Sequence, residues 1–480
     1  MEQEQSRHVA SAVAPGLSRH LAERALALRA RGVPPEILAA TKRAVMNALG
    51  AAALGSHRSA LIAAIGYASD QSAGISGGAL IPWHSDRLSV ADAAFITGAM
   101  IHLEDFDDSY FACRIHPTAA VCGALLPFAY DAKCTGQQFL EALSIGTEAE
   151  IAVGLGLVPT AYDRGFHLTS VAGGVGAAVG CGLIQGLGVD ELEAAIGIAL
   201  GSSIGYTVMF GSDMKAFGVG HAARAGVVAV GLAARGFTSA PDAIEGLGGV
   251  VSAICDDAKD AVARMAAAIG ELGTTWRIPG IVLKRWPTGH GMHAPLDATE
   301  RMIRRRPELL TARLTNVVIS VPGWFAGMKW AQDKVDAPAS YLEAKFDIPY
   351  CVAIMLAYGE FRASYLDEQF RSDPRVDEIR KLIHIVFDPE IALGQALLKI
   401  EADGLDSESE FVERCVGSPP DVPLTDEYLE AKLRSSVLES VPATSGQADT
   451  VDRIIEAIDG LDSASQTTEL SELLAMAGGQ

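Results

Sequence analysis

The chain has 480 residues, 49% of them hydrophobic and 20% charged, with a formal net charge of −21 at pH 7. That length suits about two or three domains, or one large domain carrying a smaller insertion, and the apolar share can bury a large core. The negative charge argues against nucleic acid and anionic membrane as partners, but a few local cations can still make a closed site for a small anion.

Glycine reaches 49 residues while aromatics make up only 6%, which points to close-packed helices with small side chains at their contacts. The seven cysteines are scattered, odd in number and without CxxC spacing. Disulfides and structural zinc are therefore not expected, and a reducing cytoplasm fits. The start, MEQEQSRHVASAVAP, lacks the basic end and apolar run of a signal peptide.

In chain order, the first half reads as helix after helix. GVPPEILAATKRAVMNALG offers Pro34 and Pro35 at a helix start, with Ile37, Thr41, Val45 and Leu49 on one stripe. SVADAAFITGAMIHLEDF has Ser89 as N-cap and ends where an acidic cluster begins. PTAAVCGALLPFAYDA and GQQFLEALSIGTEAEIAVGLGL carry the same period. GFHLTSVAGGVGAAVGCGLIQGLGV, 165–189, is long and uncharged enough to span a bilayer, but its His167, many glycines and lack of basic flanks favour helices buried in a protein core. KAFGVGHAARAGVVAVGLAARGF spaces Gly218, Ala222, Gly226 and Val230 four apart, a stripe on which another helix can pack closely.

Near residue 275 the texture changes. IPGIVLKRW, LTNVVISVPGW, KLIHIVFD and ALLKIEA are short β-branched runs between helical segments such as PLDATERMIRRR and DIPYCVAIMLAYGEF. The expected fold is mainly α: a large all-helical domain begun by 1–274, an inserted smaller α+β lid over 275–404, and a segment 405–480 returning to the helical domain.

Several short patterns invite chemistry. EDFDDSYFACRIHPT, 104–118, crowds Glu104, Asp105, Asp107 and Asp108 together, which costs Coulomb energy unless cations or donors offset it. DFDDS matches the D-x-D-D of alkene-protonating cyclases, but the chain is poor in the aromatics such a pocket needs. A metal could use His102, Asp105, Asp107, Asp108 and His116, or the His290–His293 pair of HGMH; neither set has the companion spacing of known zinc or calcium loops. Gly174, Gly176 and Gly180 spell GxGxxxG without a preceding strand, so helix packing explains them better than dinucleotide binding. What remains is His116, His167, Lys215 and Lys284, polar groups set in apolar or glycine-rich surroundings. Each alone reads as a cap or an ion-pair partner. Together they supply cations for carboxylates and imidazoles for proton transfer.

These residues lie in stretches that resemble the MmgE/PrpD family of 2-methylcitrate dehydratases, cis-aconitate decarboxylases and iminodisuccinate epimerases. The similar pieces are AAFITGAMIHLEDFDDSY with HPTAAV, GFHLTS, GLGVDELEAAIGIALGSSIGY, GSDMKAFGVGHAARAGVVAVGLAARGFTSAPDAIEG, LKRWPTGHGMHAPLDA, SYLEAKFDIPYCVA and GSPPDVPLTDEYLEAKL. The resemblance implies a helical domain plus an α+β lid, a homodimer and no organic cofactor; from the spacing of the candidate ligands no metal is expected. It implies a site of Asp105, Ser109, His116, His167, Lys215 and Lys284, in which Ser109 stands where the family often has threonine. Tyr341 and Tyr350 are the candidates for a lid tyrosine. The implied activity is a hydro-lyase acting on 2-methylcitrate or an alkylated malate- or maleate-type acid. Lys215 and Lys284 would hold substrate carboxylates, with Ser109 beside them, and His167 and His116 would move protons. Asp105 would orient His116 or bind a substrate hydroxyl. Decarboxylation of cis-aconitate and epimerisation of an iminodiacid are the alternatives, and a non-catalytic carboxylate-binding protein is the reading of a different class.

Overall fold

Pro35 begins the second helix because its fixed φ suits a first turn, and Ser89 caps the fourth by accepting from the Asp92 N–H at 3.1 Å. In the computed structural model, residues 16–72, 78–328, 337–412, 415, 424–443 and 446–478 are described. The helices α1 to α10 are Leu17–Arg31, Pro35–Gly55, Ser59–Gln71, Val90–Leu103, Pro117–Ala132, Gly136–Leu157, Thr160–Asp163, Leu168–Gln185, Val189–Ser202 and Met214–Ala233. α11 (Val250–Ile254) and α12 (Ala258–Gly270) follow. Two minor ladders interrupt them: β1 (Ala79–Leu80) pairs with β2 (Arg87–Leu88), and β3 (Asp108–Ser109) with β4 (Val282–Leu283).

The glycines let helix backbones touch. A Cβ on Gly176, in the middle of α8, would stand 2.7 Å from the Gly146 carbonyl of α6. The GxGxxxG spacing is thus a packing device. Among the described residues three helices, α2, α8 and α10, are long and apolar enough to cross a membrane, and 89% of the α8 window is buried inside this protein.

Two large hydrophobic cores divide the described chain, beside a small third cluster of Ala51, Leu54, Phe106 and Ala363. The first takes residues from Leu17 to Ile281 and again from Leu424 to Ala477; the second runs from Trp286 to Cys415. Around the second core, α13 (His293–Arg305) and the helix Ile348–Tyr358 pack on a four-stranded sheet. Its order is β6–β5–β7–β8, from β5 (Leu314–Pro322), β6 (Ile383–Asp388), β7 (Ala396–Ala402) and β8 (Glu408–Val412). The β5–β6 pair is parallel and the others antiparallel. Two details differ from the sequence reading. The run IVLKRW does not join this sheet but pairs with the acidic loop of the helical unit, and the sheet extends through β8, past residue 404. The start of GSPPDVPLTDEYLEAKL, through residue 423, lies outside the described residues; its remainder opens the helix Asp426–Ser440, which packs on the first core.

Candidate active site

Three helix N-termini converge on one cleft. His116 is the N-cap of α5, His167 the N-cap of α8, and Lys215 lies in the first turn of α10; all three line the cleft. Each terminus carries partial positive charge, so the place favours anions before any side chain is counted.

The acidic loop enters between them. Asp105 adopts a left-handed backbone, φ 49°, and β3 follows, held by its ladder to β4. This pairing places Lys284 beside the loop: its N–H donates to the Asp107 carbonyl at 3.2 Å. Asp105 Oδ1 accepts from Lys215 Nζ at 2.7 Å and from Lys284 Nζ at 3.0 Å. Lys284 Nζ also reaches Asp107 Oδ1 at 3.5 Å. Burial pushes both carboxyls up. The two ammoniums outweigh it at Asp105, and His102, His116 and Lys284 at Asp107, so each stays well below the usual carboxylate range. Protein lysines therefore answer the charge crowding.

The histidines' tautomers follow from their partners. His102 Nε2 accepts from Lys215 Nζ at 2.9 Å, so its Nδ1–H donates to Asp107 Oδ2 at 2.6 Å. His116 Nδ1–H donates to the Asp108 carbonyl at 2.6 Å, which leaves Nε2 as its acceptor. Burial and the Lys284 charge lower His116 to about 3 against the opposing pull of Asp107. His167 sits between Phe210, edge-on at 5.2 Å, and the His102 ring, stacked at 5.8 Å. Its Nδ1 lies 2.9 Å from Ser170 Oγ, and its buried Nε2 has no partner among the described residues. Burial and Lys215 hold His167 well below its ordinary value. Burial likewise lowers Lys215, with Asp105 opposing.

Of the residues the sequence singled out, Asp105, Ser109, His116, His167 and Lys215 line the cleft. Lys284 belongs to the cluster but is fully buried behind Asp105 rather than lining the cleft. Tyr341 sits outside the lining, its ring under Arg58 and Lys345, and Tyr350 lies in the second core with its hydroxyl donating to the Tyr365 carbonyl. Two participants were missed. His102, weighed only as a metal ligand, joins Lys215 to Asp107. His290 of HGMH lines the cleft and places Nδ1 3.1 Å from Ser109 Oγ, which in turn lies 3.4 Å from His116 Nδ1. His293 instead stacks behind His290 at 4.5 Å. Asp107, weighed as a metal ligand, instead accepts from His102.

His102, Asp107 and His116 could each offer a metal one ligand atom, all within 4.8 Å of one another. In this arrangement, however, both imidazole Nδ1 atoms donate to oxygens and two ammoniums already neutralise the neighbouring carboxylates. Such an arrangement can hold a carboxylate and move a proton beside it.

Residues 19–262 match the MmgE/PrpD N-terminal domain and residues 286–457 the MmgE/PrpD C-terminal domain. The chain is 24% identical to a cis-aconitate decarboxylase of Homo sapiens, over 91% of this chain and 90% of the relative. It is 24% identical to the cis-aconitate decarboxylase-like protein oryM of Aspergillus oryzae, over 94% and 95%. A cis-aconitate decarboxylase of Aspergillus terreus matches at 24% over 82% of each. With the two domain models together spanning most of its length, the chain belongs to the MmgE/PrpD family.

Proposed function

We propose that this chain is a lyase that breaks a bond next to a carboxylate in a small di- or tricarboxylic acid, using its own side chains for proton transfer. The observation that carries the reading is the unpartnered Nε2 of neutral His167 in the cleft where Asp105 holds the Lys215 ammonium. Lys215 binds one substrate carboxylate; a charge-assisted hydrogen bond of this kind contributes about 1.5–3 kcal/mol. Lys284 acts from behind, fixing Asp105 and balancing its charge. His167 exchanges the proton at the reacting carbon. When an anion enters, it cancels part of the Lys215 field, which raises His167 and lets the ring serve as acid as well as base. The unit from Trp286 to Cys415 supplies His290 and the far wall, and as a lid it excludes water and strengthens these contacts.

The relatives' names favour loss of CO₂ from a cis-aconitate-type acid. Loss of water from a 2-methylcitrate-type acid is the second reading, favoured by the Ser109 hydroxyl between His116 and His290, a place where a departing hydroxide can be protonated. Incubation with cis-aconitate and with 2-methylcitrate, following CO₂ release and appearance of the unsaturated acid, separates them. Neither event with any di- or tricarboxylate would overturn the lyase reading.

A further inference from the structure

One buried side chain of the second unit reaches the start of the acidic loop. Lys345, just ahead of the helix Ile348–Tyr358, is fully buried and does not line the cleft. Its Nζ donates to the Leu103 carbonyl at 2.9 Å and lies 2.7 Å from Glu104 Oε2. Glu104, also fully buried, accepts from Arg58 Nε at 2.7 Å on its other oxygen. Burial pushes the Glu104 carboxyl up, but Lys345 and Arg58 outweigh it and keep it below its usual range.

This contact holds the end of α4. Leu103 is the last residue of that helix, and its carbonyl is one of those a helix leaves without an internal partner. The Lys345 ammonium caps it, as a cation at a helix C-terminus should. The same turn carries His102, bonded to Lys215 and Asp107, and runs into the left-handed Asp105. The backbone of Lys345 faces the other wall. Its carbonyl accepts from the Gly289 N–H at 3.0 Å, directly before His290. The next residue, Phe346, lines the cleft with its ring 5.6 Å from Lys215 Nζ; a Cβ on Gly289 would stand 2.6 Å from that ring.

Stability alone does not require such a pair. Two buried charges lose hydration that a well-packed apolar pair never needed, and apolar replacements are often neutral or stabilising. Resting on the lyase reading, we infer that Lys345 is a positioning residue for the reaction. It touches no substrate; its side chain fixes the turn that presents His102 and Asp105, and its carbonyl fixes Gly289 and with it His290. Both walls of the cleft are thereby set from one residue.

The test separates positioning from folding. Lys345→Met leaves Glu104 with one partner and should lower both melting temperature and kcat. Lys345→Met/Glu104→Met removes the pair together and should melt close to wild type. Its kcat should nevertheless stay at least about thirtyfold down, with KM changed by less than about threefold. In protein labelled with ¹³C-histidine, the His102 and His290 ring signals, assigned by single substitutions, should move in the double variant. Recovery of kcat along with melting temperature, or unmoved ring signals, would overturn the inference. A raised KM with kcat kept would place Lys345 at the substrate and overturn it too. Lys345→Arg keeps the charge but changes its reach, and so reads the same point should the methionine variants not fold. Moved signals with kcat about three- to tenfold lower are expected there, and wild-type signals and kcat would overturn the inference. The ring signals need no substrate. Moved signals in a protein that turns over no acid would remove the lyase reading and leave the placement of the two histidines. Turnover by wild type with an equally active double variant would do the reverse.

Discussion

One oxygen, Asp105 Oδ1, accepts from two buried ammoniums, Lys215 at 2.7 Å and Lys284 at 3.0 Å. The three groups form a fixed charge arrangement in which neither lysine is fully spent. Removing the anion while keeping its shape tests that arrangement. Asp105→Asn leaves two buried cations under-neutralised, a change that costs about 3–5 kcal/mol when a buried pair is broken. The expected result is a fall in kcat/KM of at least about a hundredfold, with a lowered melting temperature in calorimetry. Activity within a few-fold of wild type would remove Asp105 from the site.

The two lysines differ in reach, and the difference is measurable. Lys215 lines the cleft and Lys284 lies behind it. Lys215→Met should raise KM and lower kcat together, since a substrate contact is lost. Lys284→Met should lower kcat with a smaller change in KM, because it acts through Asp105. The opposite split in steady-state kinetics would exchange their roles.

The histidines set the pH dependence. His116, lowered to about 3, and His167, held well below its ordinary 6.5, are both neutral in the free protein across pH 6–8. A neutral base loses activity only when it is protonated, so kcat/KM should stay level down to pH 6. Its alkaline limb should report Lys215, which burial brings below 10.5. A tenfold decline of kcat/KM between pH 7 and 6 would contradict His167 as the base in the free enzyme.

Asp108 provides a stability signal of opposite sense. Burial and the neighbouring Asp107 charge raise it to about 7, although Thr118 donates to both its oxygens. Its folded value lies above its unfolded one, so the folded chain holds the extra proton between about pH 4 and 7. Stability is then greatest below that window and falls as pH rises through it, by up to about 4 kcal/mol. Asp108→Asn should flatten that slope in urea unfolding at pH 5 and 8. Some slope should remain, because burial also raises Glu148 to about 7. Equal slopes in the two proteins would contradict the assignment.

Much of this was legible in the sequence, for identifiable reasons. Asp105 was singled out through the family resemblance, while His116, His167, Lys215 and Lys284 stood out as polar groups in apolar or glycine-rich surroundings. His102 did not, since it closes an apolar helix and its partners are the side chains of Asp107 and Lys215, the latter 113 residues away. His290 was obscured by its neighbour His293, which made the pair look like a metal motif. The run IVLKRW was read as part of the α+β sheet because β-branched spacing reports strand character but not the partner. Its partner is Asp108–Ser109, and that ladder brings Lys284 in behind Asp105. The clamp from the C-terminal segment was equally invisible: Lys432 donates to the carbonyls of Phe106, 326 residues away, and Lys284, 148 residues away, tying the loop to the residue after β4.

Proton exchange at the carbon next to a carboxylate tests the central claim most directly. The protein is incubated in D₂O with a panel of di- and tricarboxylic acids and followed by NMR, beside His167→Ala. For at least one acid the expected result is loss of CO₂ with deuterium entering the product, or loss of water with the proton at that carbon given up to solvent, and at least about a tenfold slower rate in the variant. Absence of both turnover and deuterium exchange across the panel, or an undiminished rate in His167→Ala, would contradict it.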